Sequence, residues 1–436
     1  MTVTTTISGW GGYPKKEAQV FTPLSLSGCQ SQLQQNEALL ARGMGRSYGD
    51  SANAATILQT TYLNHFIAFD SDTGLLTVEA GVMLREILKV TVKHGWFLPV
   101  TPGTSFVTVG GAIASDVHGK NHHVAGTFGQ HIVSMTLLLG TGEMVTTSPN
   151  ELPDLFHATC GGMGLTGVIL TASIQLVPIK SAYIKQKTIK VGSLEEVCEA
   201  FEEHGESTYS VAWIDCLATG KYLGRSVLMV GEHAEIGKLE LTIEDPINIP
   251  IHTPAALLNS LTMRAFNHAY YAKANHLKTQ TVSLLPYFYP LDAIGGWNKL
   301  YGKAGFVQYQ FVLPKTDGVA NMRTILTQIA LSGAGSFLAV FKQFGAANQN
   351  LLSFPIDGYT LALDFKVSLA NFALLQKLDE LVMSMGGRVY LTKDALMQEK
   401  TFKTTYPHWK SFEAVREKYG AIGKFASAQS KRLGLA

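Results

Sequence analysis

The run Pro102–Gly129, PGTSFVTVGGAIASDVHGKNHHVAGTFG, restricts this chain more than any other stretch. It sets a Pro-Gly turn, a Gly-Gly pair and a second glycine-studded turn around the small residues Ala-Ile-Ala-Ser. Asp116, His118, Lys120, His122 and His123 then follow in close succession. Small residues at this density let a backbone come within van der Waals reach of a large ligand. Pro102-Gly103 reads as a turn, Phe106–Val109 as a short β-branched strand, and Gly110-Gly111 as a break in it. A structural core would not combine so much polar chemistry with so much glycine, so the run is a ligand site.

The chain has 436 residues, enough for two domains and a large core. Hydrophobic residues at 46% and charged ones at 16% describe a compact protein, not a disordered one. A net charge of +2 offers no basic stripe, so nucleic acid is not expected as a partner. Cys29, Cys160, Cys198 and Cys216 are scattered without CxxC or zinc spacing and read as reduced, mostly buried thiols. The opening MTVTTTISGWGG lacks the basic and apolar regions of a secretory signal, and no run approaches the ~18 apolar residues of a membrane span. A cytoplasmic location is expected, with contact at a membrane surface left open.

Ala38–Ala41 leads as a strand into the loop RGMGRSYGD, and Leu75–Ala80, Ile132–Leu139 and Gly167–Val177 read as further strands. Met83–His94, apolar at 84, 87 and 88 with Thr91 in step, reads as a helix, and Leu155–Cys160 as a short helical approach. This alternation is α+β or α/β. Pro178-Ile179-Lys180 marks a boundary. Beyond it, Tyr183–Val191 is a strand, and Ser193–His204 a helix opened by a Ser193-x-x-Glu196 capping box. Tyr209–Ile214, Gln308–Leu313, Phe337–Phe341 and Tyr359–Phe365 alternate as an antiparallel sheet with one covered face. The apolar segment 244–280, with prolines at 246, 250 and 254, is either a lid or membrane-facing loop, or an ordinary surface connection with one short helix.

Arg42–Asp50 frees several backbone N–H groups through its glycines and adds Arg46 and Ser47, a nest that suits a pyrophosphate. Gly162-x-Gly164-x-x-Gly167 matches the dinucleotide fingerprint as a string, but a helix precedes it and a strand follows, which is not the Rossmann context. Its glycines still suit close approach to a ligand. His118, His122, His123 and His131 do not make a metal site: Gly119 weakens a helix there, and no acid or thiol completes a tetrahedral set. Lys342, set among Phe337, Phe341 and Phe344, would be desolvated and its pKa lowered. Gln308 and Gln310 share one strand face and could hold sugar hydroxyls.

The pattern PGTxxVTVGGAIAxDxHGKNHH resembles the flavin-binding core of the vanillyl-alcohol-oxidase-type (PCMH-type) FAD oxidoreductases. RGMGRSYGD (42–50), GGMGLTGVI (161–169), AWID (212–215), FYPLD (288–292), GFVQYQF (305–311) and FLAVFKQFG (337–345) extend the likeness in order. Within the superfamily they are similar to the decaprenylphosphoryl-β-D-ribose oxidases, the oxidase half of a ribose-to-arabinose 2-epimerase. The resemblance implies a two-domain α+β fold: an FAD-binding domain over 1–179, an antiparallel-sheet substrate domain over 180–387, and a segment, 388–436, returning to the first.

It implies FAD held by Arg42, Gly43, Met44, Gly45, Arg46, Ser47, Tyr48 and Gly49. Pro102, Gly103, Thr104, Thr108, Val109, Gly110, Gly111, Ala114, Ser115, His118, Gly119, Asn121 and His122 continue the set, with Gly162, Gly164, Gly167, Ile169 and Tyr390. Arg46 stands where covalently flavinylated members often carry histidine, implying noncovalent FAD. The substrate, a lipid-linked sugar phosphate, would meet Tyr48, Lys120, Trp213, Tyr289, Gln308, Gln310, Lys342, Thr360 and Ala362. Thr360 and Ala362 replace the Asn and Cys of the oxidases it resembles. His118, Lys342 and Lys393 are the catalytic candidates, and which of them takes the proton is open. The implied reaction is oxidation of the ribose C2 hydroxyl to a ketone, with a separate NAD(P)H-dependent short-chain reductase completing the epimerisation. An aldonolactone or alditol oxidase passing electrons to oxygen is the alternative.

Overall fold

The computed structural model describes residues 2–241, 247–249, 251 and 259–435; part of the 244–280 segment therefore lies outside the described residues. The first half holds two sheets. One runs in the order Thr2–Ser8, Lys15–Phe21, Thr56–Gln59, Leu40–Arg42, an antiparallel pair extended by parallel strands. The other is antiparallel, in the order Phe66–Phe69, Leu75–Glu79, Val168–Gln175, Ile132–Leu138, Met144–Thr147. The helix Leu84–Thr91 buries Leu84, Ile87, Leu88 and Thr91, the stripe that its sequence spacing sets.

The glycine-rich run departs from its expected form. Thr108 is a helix N-cap, its Oγ1 accepting from Gly111 N at 3.2 Å, and Val109–Ala114 is helical. Gly110 and Gly111 therefore sit inside a helix rather than breaking a strand. A capping threonine outweighs the local β preference of its valine neighbours. Glycine at 110 serves close packing, since a Cβ there would lie 3.1 Å from the Ala80 Cβ.

The second half is built on an eight-stranded antiparallel sheet. Its order is Lys278–Ser283, Tyr183–Val191, Ser226–His233, Tyr209–Ile214, Ala339–Phe344, Gly358–Lys366, Phe306–Pro314, Arg388–Val389. One covered face was expected, yet Tyr209–Ile214 is buried throughout, as are Phe306–Leu313 and Gly358–Phe365. Helices Gly318–Ser332 and Leu369–Ser384 pack on this sheet, and side chains of its other face line the cavity described below. The helix Leu194–Glu203 starts as its sequence predicts, with Ser193 Oγ accepting from Glu196 N at 3.2 Å. The Glu196 carboxylate closes on Gly192 N at 2.7 Å instead of on the cap residue.

After Arg388–Val389 the chain runs back to the first sheet. Leu39 N donates to Lys424 O at 2.9 Å and Ala428 N to Asn53 O at 2.7 Å. Arg432 bridges Asp50 and Asp394 at 2.7 and 2.9 Å. All four cysteines are buried and unpaired.

Asp116 ties the glycine-rich run to the loop after Phe344. Its carboxylate accepts from Gly129 N (3.0 Å), Asn348 Nδ2 (2.9 Å), Asn350 Nδ2 (2.9 Å) and Ser353 Oγ (2.6 Å). The residue is fully buried. Asp116→Ala would leave buried donors unpaired, so a stability loss of roughly 2–4 kcal/mol is expected in urea unfolding. A loss below ~1 kcal/mol would show that the loop is held by packing alone.

Candidate active site

A cavity of about 400 Å³ lies between the glycine-rich segments and the large sheet. One wall is backbone: the Arg42–Ser47 loop, the Pro102-Gly103 turn, Gly110, Gly111, Gly119, Gly164 and Gly167. The other wall carries side chains of Trp213, Gln308, Gln310, Val340, Lys342 and Ala362, with Tyr390, Thr392 and Lys393 also on the lining. Gly111 is exposed although helical. A Cβ there would meet only Thr108 Oγ1, at 3.1 Å, so the space a side chain would fill is open to the cavity. Arg46 Nε and Ser47 Oγ are shielded from solvent without a hydrogen-bond partner among the described residues. The Arg46 guanidinium stacks 4.1 Å over the Trp10 ring. A side-chain-free cradle with unmatched donors beside it fits a flat ring with an anionic tail.

The sheet wall supplies the titratable chemistry. His118 is buried, with Nε2 2.9 Å from Gln310 Nε2 and the rings of Phe344 and Tyr390 centred 4.8 and 5.0 Å away. Burial, reinforced by Lys342, His122 and Lys393, pushes its pKa well below the ordinary imidazole value. Burial lowers Lys342 to about 8; its Nζ lies 3.5 Å from Gly119 O. Lys393 falls to about 7 through burial, against the pull of Asp364, and its Nζ sits 3.8 Å over the Tyr48 ring. Lys120 also falls to about 7, through burial and then Lys342; it donates to Tyr287 O and lies 4.2 Å over that ring. The three amines line the cavity and keep partial solvent contact. The shift is fully expressed when a ligand excludes water. Asp364, raised to about 6 by burial, accepts from Gln308 Nε2 at 2.6 Å.

Most of the residues singled out in the sequence line this cavity: Arg42 to Tyr48, Pro102 to Thr104, Thr108, Gly110, Gly111, Ala114, Ser115, His118, Gly119, Lys120, Gly164, Gly167, Ile169, Trp213, Gln308, Gln310, Lys342, Ala362, Tyr390 and Lys393. Others do not. Gly49 packs on the C-terminal segment, where a Cβ would lie 1.8 Å from Asp394 O, and Gly162 on Ala158 O at 2.1 Å. Val109 points into the core. Asn121 donates to Pro99 O at 2.7 Å, and His122 accepts from Gly345 N at 3.2 Å with its ring against Phe344. Tyr289 OH pairs with Thr101 Oγ1 at 2.5 Å. Thr360 is fully buried behind Gln310. Each has its polar or packing needs met inside the protein.

The setting of Lys342 meets its expectation in part: its Nζ lies 5.7 Å over the Phe344 ring, but the other two aromatics are turned elsewhere. Phe341 lies on the opposite strand face, against Phe201 and Tyr359, and Phe337 packs on Phe266. Among the described residues no group of three or more His, Cys, Asp or Glu could hold a metal ion. Trp10, Met163, Tyr270, Val340 and Thr392 line the cavity without having been singled out. Asp364 was legible in the strand's period of two, being in step with Thr360 and Ala362. Trp10 was not: its place comes from Trp10 N donating to Ser47 O at 2.7 Å.

A family model described as an FAD binding domain matches residues 29–148, which supply both glycine turns and His118. FAD is the cofactor, and the protein is an FAD-dependent oxidoreductase acting on a CH–OH group. Decaprenylphosphoryl-beta-D-ribose oxidase of Mycolicibacterium smegmatis is 39% identical over 411 residues, 91% of this chain and 89% of that protein. An uncharacterized protein of Streptomyces coelicolor is 30% identical over 376 residues, 81% of this chain and 100% of that one. L-gulonolactone oxidase of Bos taurus is 31% identical over 174 residues, 39% of this chain and 38% of that enzyme. The chain belongs to the decaprenylphosphoryl-β-D-ribose oxidase family.

Gly111→Leu would fill the cradle. It is expected to weaken FAD binding by roughly 10-fold or more, because overpacking a matched site costs about 1–3 kcal/mol. Flavin titration with circular dichroism as the folding control checks this; undiminished affinity would place the ring elsewhere.

Proposed function

We propose that this protein oxidises the C2 hydroxyl of a polyprenyl-phosphoryl ribose, leaving a 2-keto sugar that a separate NAD(P)H-dependent short-chain reductase converts to the arabinose form. The observation that carries this is the likeness to decaprenylphosphoryl-beta-D-ribose oxidase over 91% of the chain. The cavity agrees with it chemically: Lys120, Lys342 and Lys393 line it, and among the described residues no carboxylate is in ion-pair contact with them. Such amines suit an anionic phosphodiester, and Gln308 and Gln310 suit sugar hydroxyls.

When bound, FAD supplies the two-electron acceptor for the carbon's hydride. The glutamines and Trp213 orient the sugar ring. A neutral lysine takes the hydroxyl proton. Arg46 in place of a flavinylating histidine supports noncovalent FAD. Acid precipitation should therefore release the yellow colour, and a yellow pellet would refute it.

The same reading divides the chain at 179 and 387, and the bonds from the tail to Leu39 and Asn53 support the return of 388–436 to the FAD domain. Limited proteolysis would test this: first cuts within the strands, rather than near 179 and 387, would refute the division.

Contact with a membrane surface is supported by the helix Ser260–Lys273, which exposes Leu261 and Phe266 while its Tyr270 stacks 4.6 Å from Trp213 on the cavity wall. No acidic residue stands between Asp245 and Asp292. Among the described residues no helix is long and apolar enough to cross a membrane. Co-sedimentation with anionic vesicles that Leu261→Asp with Phe266→Asp does not weaken would count against this face.

The L-gulonolactone oxidase likeness supports a second reading, a soluble aldonolactone or alditol as substrate, over a smaller share of the chain. Anaerobic mixing decides between them. Polyprenyl-phosphoryl ribose should bleach the flavin and L-gulonolactone should not; the reverse outcome replaces the first reading with the second.

The reduction rate should also depend on pH. Lys393 and Lys342, lowered to about 7 and about 8, are protonated and unable to accept below those values. The rate is expected to rise with pH through that range and level off above it. A rate that falls over the same range would exclude a lysine base.

A further inference from the structure

Thr360, expected on the cavity wall, stands one layer behind it. It is fully buried on the strand Gly358–Lys366. Its hydroxyl donates to Phe311 O at 2.8 Å. A hydroxyl has one proton, so towards Gln310 this oxygen can only accept. Gln310 Nε2 supplies that donor at 3.3 Å. The same amide nitrogen lies 2.9 Å from His118 Nε2. An amide nitrogen has no acceptor capacity, so His118 Nε2 must present its lone pair, and a neutral ring then carries its proton on Nδ1. No protein group among the described residues accepts from that Nδ1. Gln310 Oε1 likewise has no protein donor, in a residue that lines the cavity.

We propose that Thr360 is a positioning residue: through Gln310 it fixes His118 as the Nδ1–H tautomer and turns the Gln310 carbonyl oxygen, a pure acceptor, towards the substrate hydroxyls. Two consequences follow for the reaction proposed above, on which this part rests. His118 has no free lone pair, so it is not the base. The hydroxyl O–H bond therefore breaks as a bond forms to the neutral amine of Lys342 or Lys393. The C–H electron pair leaves with its hydrogen as hydride for bound FAD, and the carbon becomes a ketone. The site thus selects a substrate that offers a hydroxyl donor to residue 310. A sugar whose hydroxyl is replaced by an ether loses that contact.

The test uses the holoprotein containing 15N-labelled histidine. Long-range proton–nitrogen correlation reports the tautomer, with the His118 signal assigned by its loss in His118→Gln. Wild type and Thr360→Ser should both show the proton on Nδ1. Thr360→Val, which keeps the shape and removes the hydroxyl, should show a tautomer mixture. It should also raise KM for polyprenyl-phosphoryl ribose about tenfold, the worth of one such hydrogen bond, with FAD retained. A wild-type His118 protonated on Nε2, or on both nitrogens, overturns the proposal even if Thr360→Val fails to fold. An unchanged tautomer and KM in a folded Thr360→Val overturns it as well. The spectrum requires no turnover, so a protein inert towards the sugar would sink the substrate reading and leave the tautomer result standing.

Discussion

The withdrawal of three amines from bulk water is the constraint on which the rest of this structure depends. Lys120, Lys342 and Lys393 come from three separate segments and meet around one cavity. Desolvation is the largest cause of the fall in pKa for each of them. Holding cations in such a place costs stability unless a ligand repays it. The sheet is therefore covered on both faces and the loops beside it are tied down by bonded polar groups, with Asp116 and Asp364 as hubs. Partial burial draws the amines of this wall toward the neutral form, the form that can take a proton.

Opposite this wall the chain does something different with equally simple means. Glycine and alanine remove side chains where a ring must lie flat, and a six-residue helix capped by Thr108 turns Gly110 and Gly111 to the cavity. On the function proposed above the two walls divide the labour: backbone would hold the cofactor, and side chains the sugar and its proton. A fold of this kind can keep its flavin apparatus while its sheet wall changes substrate. The shorter likeness to L-gulonolactone oxidase fits that division.

Much of this was legible in the sequence, for identifiable reasons. Glycine spacing and the lone lysine in an aromatic strand are local signals, and the strand period put Gln308 and Gln310 on one face. The strand at Phe106–Val109 was misjudged because propensity cannot see a cap whose partner donor is a glycine three residues on. Residues that work from behind the wall were harder to place. Thr360 and Tyr289 carry hydroxyls like any ligand-facing residue, and only the folded chain shows that Phe311 O, from the paired strand, and Thr101, from a distant loop, satisfy them. Trp10 could not be found at all, because the contact that places it links it to a loop distant in sequence.

The cavity amines are expected to titrate near neutrality. Observing the side-chain nitrogens of Lys342 and Lys393 directly, in holoprotein carrying 15N-labelled lysine, tests it with no substrate present. Midpoints near 8 and near 7 are predicted. Midpoints at the ordinary lysine value of about 10.4 would contradict it and leave the site without a base.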